Sequence, residues 1–380
     1  MRDRVGSRHP WLTTAIVSAL VVGCSGATST TSTTEATARS SPSVRATEGP
    51  TPGPVTRWGP GGLDFAPDGA LYTTDCGFAR IFKVSPSARI SVFAGAGPGG
   101  FGNGFSGDGG PAQAAHFGCP QGIAFDAKGD LYFSDHLNQR IRMIDTDGTI
   151  TTVAGNGDSS FAAGSLPALQ ASFSAPSCIE FDARGNLYIC DRDNNAIREL
   201  HTDGTVTTVA GTGYGGSSGD GAAATSAQID GPNGIAFDRQ GNLYFSDSNN
   251  NRVRMIDTGG VISTVAGNGK RGVSGDGGPA TSAAVGDPIS LAFDRDGDLF
   301  LTQPDDNVVR MVTPDGIIST VAGTGRAGFS GDGGPAVDAK LGSLNEIVFD
   351  AKGDLYLVDG ERIRVIDRHG TIATFAAVKT

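Results

Sequence analysis

The sequence predicts an all-β fold, a six-bladed β-propeller of four-stranded antiparallel blades, and three observations lead to it. Aligning "GLDFAPDG", "GIAFDAKG", "CIEFDARG", "GIAFDRQG", "SLAFDRDG" and "EIVFDAKG" places one aromatic at Phe65, Phe125, Phe181, Phe237, Phe293 and Phe349, six repeats at intervals of 60, 56, 56, 56 and 56 residues. Each repeat holds four apolar runs of strand length separated by Gly- and Asp-bearing turns, the residues that tight hairpins need. Glycine supplies 58 of 380 residues and only 38% are hydrophobic, which suits many short strands and excludes long helices.

The second repeat shows each element in order: "GIAFD" from Gly122, "LYFSD" from Leu131, "RIRMID" from Arg140 and "ITTVAG" from Ile150, with "AKGD" and "TDG" turning the chain between them. The runs are apolar on both faces, so each meander must be covered on both sides, as in a radial stack of sheets. The four extra residues of the first interval fall in "AGPGGFGNGFSG", where a surface loop absorbs them at little cost. Between repeats, "SGDGGPA" places Asp108, Asp276 and Asp332 just before a Pro and an Ala-rich stretch. That order predicts a short helical turn capped by the Asp side chain. A calcium loop would need more than one carboxylate. The Asp ending the second run precedes an Asn and an Arg, as in Asp135, Asn138 and Arg140, or Asp247, Asn251 and Arg252. We expect these to hold one turn per blade.

"PQGIAFDAKGDLYFSDHLNQRIRMID" and "PNGIAFDRQGNLYFSDSNNNRVRMID" resemble NHL repeats, and the "AGxG…SGDGGPA" connection is similar to their long bacterial version. The resemblance runs from Trp58 to Thr380. It includes Pro60, Pro120, Pro176, Pro232 and Pro288, Gly62, Gly122 and Gly234, and Asp75, Asp135, Asp191, Asp247 and Asp359. Gln303 departs from this Asp in the fifth repeat and Leu344 from the Pro in the sixth, so the outer repeats are where the ring is expected to be least regular. "PVTRW" at Pro54 to Trp58 is a segment that would pair across the seam.

The resemblance implies a binding or scaffolding module that presents one rim to a protein, glycan or other ligand, with no assigned catalytic residue. The alternative it implies is a calcium-dependent lactonase or metal-dependent lyase with its site at the channel. Against the lyase, the mature chain has only His116, His136, His201 and His369, at unmatched repeat positions. No cofactor is assigned, calcium being the one ion that a lactonase-like site would use. A net charge of -11 excludes a nucleic-acid partner.

Residues 1–23 read as a lipoprotein signal peptide, because Arg2, Arg4 and Arg8 precede an apolar run from Trp11 to Val22 that ends in "VVGC". This ending resembles a bacterial lipobox, which implies lipidation of Cys24 and a monomeric protein held on the extracytoplasmic face of the bacterial cell membrane. Residues 24–57 are a Ser/Thr/Pro-rich tether with too few apolar side chains to fold. Residues 58–380 are the propeller.

The candidate site residues are those that break the repeat. Strand one is innermost, and where Ala124, Ala236, Ala292 and Val348 stand in other blades the chain has Asp64 and Glu180. An inward charge must pair with a neighbouring Arg or serve a ligand. Phe78, His136 and Arg192 break the pattern in the loops after strand two. An exported protein meets an oxidising compartment, so Cys76, Cys119, Cys178 and Cys190 are expected in disulfides. Cys178 and Cys190 flank one hairpin and Cys76 and Cys119 meet at a blade junction, which favours those two pairs.

Overall fold

A computed structural model describes residues 61–97 and 104–377. Pro54 to Trp58, Cys24 and the tether lie outside the described residues. Six antiparallel meanders follow one another in chain order. Blade one comprises Leu63–Phe65, Leu71–Asp75, Arg80–Val84 and Ile90–Ala94. Blade two comprises Pro120–Phe125, Leu131–Asp135, Arg140–Ile144 and Ile150–Ala154. The other four repeat this pattern to Ile372–Ala377, and blade three gains a short outer strand, Leu166–Pro167, beside Thr205–Ala210. Each first strand packs against the first strands of both neighbours, including blade one against blade six, so the ring is closed, and among the described residues no strand is shared between the first and last blades.

What closes the ring is the repeated Phe itself. Its ring packs edge-on or steeply tilted against an aromatic on strand two of the preceding blade: Tyr72–Phe125, Tyr132–Phe181, Tyr188–Phe237, Tyr244–Phe293 and Phe300–Phe349. The seam repeats the contact with Tyr356 and Phe65, centroids 5.1 Å apart. Edge-to-face pairs of this kind add about 0.5–1.5 kcal/mol beyond the area they bury.

A second device runs beside it. Hydroxyls near the end of strand two bond the next blade's backbone: Thr74 to Gln121 O at 2.6 Å, Ser134 to Ser177 O at 2.6 Å, Ser246 to Ile289 O at 3.0 Å and Thr302 to Asn345 O at 3.1 Å. The Ser134 hydroxyl also accepts from Gly122 N–H at 2.9 Å. A Cβ at Gly122 or Gly234 would overlap the next blade's Ser177 or Ile289 carbonyl, which is why Gly recurs there. Cys190 and Val358 take the hydroxyl position in blades three and six. In blade three the Cys178–Cys190 disulfide joins strands one and two, where a Gly N–H and a hydroxyl join them in blades one, two and four. The seam lacks the hydroxyl and relies on Leu63, Leu71, Phe82, Val358 and Ile363.

The connections between blades do form short helical turns, at Ala112–Ala114, Ala280–Ser282 and Ala336–Asp338 among others. The expected Asp caps are absent: Pro111, Pro279 and Pro335 precede these turns without a side-chain cap bond. Asp108, Asp276 and Asp332 instead pair with Arg142, Arg310 and Arg364 from strand three. These guanidiniums are fully buried, and a buried charge without a counter-ion costs far more than an uncapped three-residue turn. The connection also pairs with the edge strand of the following blade, Gly109 N–H to Ile150 O and Ile150 N–H to Gly110 O, covering an edge that would otherwise invite aggregation.

The turn after strand two also differs in detail from the expectation. Asp135 accepts from Gly118 N–H, from Asn138 and from Arg142, not from Arg140. Asp247 likewise binds Asn250 and Arg254 rather than Asn251 and Arg252. Arg140 instead donates to the Asn138 and Asn156 carbonyls, and Arg252 to the Asn250 carbonyl.

Candidate binding site at the channel mouth

Strand one begins, and strand two ends, at one rim. There the residue four before each aligned Phe comes from every blade to line a cavity of about 290 Å3: Gly61, Gln121, Ser177, Asn233, Ile289 and Asn345. Amide side chains thus alternate with smaller or apolar ones around the axis. Arg192 lines the same cavity, as do Cys76, Cys178 and Glu346. The disulfides Cys76–Cys119 and Cys178–Cys190 therefore anchor two sides of the mouth, the first tying the rim loop of blade one to the entry of blade two.

Deeper along the axis a second cavity of about 260 Å3 is lined by Asp64, Glu180 and Glu346 together with Ala236, Ala292 and Val348. Glu346 and Cys178 border both cavities. Asp64 accepts from Phe65 N–H at 2.7 Å and from Phe125 N–H at 3.1 Å. Glu346 accepts from the Ser290 hydroxyl. Among the described residues neither Asp64 nor Glu180 has an arginine partner, which was one of the two roles expected of an inward acid. The Glu180 side chain lines the same cavity and is exposed to the lumen.

Burial pushes the Asp64 carboxyl up to about 7, against the pull of its two backbone N–H donors. Burial, then repulsion from Asp64 and Glu346, pushes Glu180 up to about 8. Burial pushes Glu346 up to about 7, with the Ser290 hydroxyl acting in the opposite sense. Three like groups in one channel titrate together, so the lumen gains negative charge between mildly acidic and mildly basic pH.

Of the residues expected at the site, the structure brings Asp64 and Glu180 into the lower cavity and Arg192 to the mouth. His136 and Phe78 lie in rim loops. The His136 ring shares a hydrogen bond with Pro176 O at 3.1 Å, a link to the next blade that Ser248 makes to Pro288 O in blade four. Burial, with Arg192 nearby, lowers the His136 pKa and favours neutral imidazole. Phe78 donates its backbone N–H to Asp75 at 3.0 Å. Much of the polar loop surface is used internally: Gln139, Asn195 and Asn251 accept backbone N–H groups of the following blade. Sequence reasoning missed Glu346 and the amide ring. The signal for Glu346 was present, since it stands where Gly62, Gly122 and Gly234 stand in other repeats.

A closed ring of six four-stranded meanders with a polar mouth at one rim defines an NHL-type β-propeller. A family model described as "Teneurin NHL domain" matches residues 86–167, 214–274 and 325–380, and the chain belongs to this family. Among curated relatives, Teneurin-m of Drosophila melanogaster is 27% identical over 289 residues, 69% of this chain and 10% of that protein. Human Teneurin-4 is 29% identical over 269 residues, 61% of this chain and 10% of that protein. The chain thus spans about a tenth of the length of these relatives. Solved structures share the fold alone. A virginiamycin B lyase from Staphylococcus aureus has a TM-score of 0.51 at 16% identity, covering 85% of each chain. A gluconolactonase from Xanthomonas campestris has 0.54 at 16%, covering 84% of this chain and 86% of its own. An auxiliary nutrient binding protein from Bacteroides thetaiotaomicron has 0.57 at 15%, covering 84% and 70%.

The channel acids do not fit a metal. Among the described residues no three His, Cys, Asp or Glu side chains converge closely enough to hold an ion, and calcium needs six to eight oxygen ligands.

Proposed function

We propose that the protein is a binding module that presents its strand-two rim and channel mouth to a protein or glycan outside the cell. The observation that carries this reading is the convergence of Arg192, Gln121, Asn233 and Asn345 on one open cavity. A guanidinium and several amides around a cavity are the donor and acceptor set that fixes a polar ligand. The repeat-building side chains are occupied in holding blades together, which leaves the repeat-breaking ones for recognition. The tether and the Val21 to Cys24 ending support an anchored display, and Cys24→Ser should move the protein from the membrane to the soluble fraction. An auxiliary nutrient binding protein among the structures of like fold accords with binding.

Glycan and peptide arrays probed with the full chain test the proposal. Arg192→Glu and Phe78→Ala should weaken the strongest signal at least tenfold, while Arg184→Glu and Lys352→Glu in turns at the opposite rim should leave it unchanged. His136→Ala requires a check of folding, because His136 also links two blades. Loss of signal on opposite-rim substitution alone would place the binding face elsewhere.

A further inference from the structure

The opposite rim carries a separate cavity between blades one and two, of about 360 Å3, within the range of about 300–1,000 Å3 typical of small-molecule sites. Its apolar wall is a three-ring cradle: Tyr72 packs edge-on against Phe93 at 4.9 Å and steeply tilted against Phe125 at 5.0 Å. Blade one builds this wall by leaving the repeat. Where Asp126, Asp182, Asp238, Asp294 and Asp350 follow the aligned Phe, blade one has Ala66. Those carboxylates bind the N–H groups of their own turn, as Asp126 does with Lys128 and Asp130. In blade one Asp68 takes over by accepting from Ala70 N–H. Phe93 stands where Val153, Val209, Val265 and Val321 stand, a Phe that only blade six shares, at Phe375, where Asp350 follows the aligned Phe. Blade one thus leaves an aromatic hollow without the carboxylate that follows the aligned Phe in the other blades.

Three charged side chains border the hollow, and two are engaged. Asp68 pairs with Lys83 at 3.5 Å. Asp145 accepts the N–H groups of Asp147 and Thr149. Lys128 has no ion pair among the described residues. We infer that this cavity is a binding site for a small aromatic carboxylic acid, its ring held by Tyr72, Phe93 and Phe125 and its carboxylate by the Lys128 ammonium. The site is distinct from the channel mouth and goes beyond the proposed rim function.

Calorimetric titration of the full chain with 3-phenylpropionate, and with the neutral 3-phenylpropanol, tests it. The acid should bind at least tenfold more tightly than the alcohol. Lys128→Gln should remove that preference and leave alcohol binding unchanged. Ala66→Asp restores the residue of the other five blades, so the fold should persist while acid binding falls at least tenfold. Phe93→Val should weaken both ligands together. Absence of binding to the wild-type chain, or equal binding by wild type, Lys128→Gln and Ala66→Asp, would overturn the assignment.

Discussion

Replacing Phe65 by Ala should cost as much stability as replacing Phe181, although the first sits at the seam and the second in mid-ring. Truncating a fully buried Phe costs about 3–5 kcal/mol. Both rings are only partly buried, and each loses one edge-on pair, Phe65–Tyr356 or Tyr132–Phe181, at centroid distances of 5.1 and 5.0 Å. The pair contributes about 0.5–1.5 kcal/mol beyond burial, so about 2–3 kcal/mol is expected for each variant. Among the described residues the seam has no shared strand and no hydroxyl bridge from Val358, and its closure there depends on these apolar contacts. Urea titration followed by circular dichroism would give both values from the midpoints, provided the slopes match the wild type. If Phe65→Ala shifts stability by less than about 0.5 kcal/mol while Phe181→Ala costs the expected amount, the seam does not carry load and the account of ring closure is wrong.

Three further outcomes are expected. Arg254→Met strands the buried Asp247 without its cation and should cost about 3–5 kcal/mol. Arg310→Met leaves the neutral Gln303 and the half-exposed Asp276, the equivalent of Asp220 beside Arg254, and should cost about 1–3 kcal/mol, with urea midpoints giving the difference. The folded state keeps protons on Asp64, Glu180 and Glu346 to a higher pH than the unfolded chain does, so it binds more protons from the ordinary carboxylate range up to about pH 8. Stability should therefore fall as pH rises through that window. Glu180→Gln should raise Tm more at pH 8.5 than at pH 5, and a pH-independent difference would contradict the assignment. Among disulfides, Cys76–Cys119 spans 43 residues and Cys178–Cys190 spans 12. Chain-entropy scaling then makes removal of the first pair by Ser costlier by about 1 kcal/mol, measured by the same titration.

The sequence by itself determined the number of blades and their four strands and favoured the two disulfide pairs, because strand runs are local and a repeat aligns by its punctuation of Gly and Asp. It also exposed Asp64 and Glu180, since charges at an otherwise apolar repeat position stand out against their equivalents. What the recurring residues touch was decided only by closure of the ring. The aligned Phe meets a Tyr 49 to 53 residues earlier, as in Tyr132–Phe181 and Tyr72–Phe125, and Asp108 meets Arg142 on the following blade. Nothing local in either partner specifies the other. Glu346 shows the same limit: it sits on another repeat position than Asp64 and Glu180, and the three come together only because six inner strands converge on one axis. A local pattern records which way a side chain faces within its own blade, but burial, repulsion and access to a ligand depend on what the neighbouring blades place across the channel.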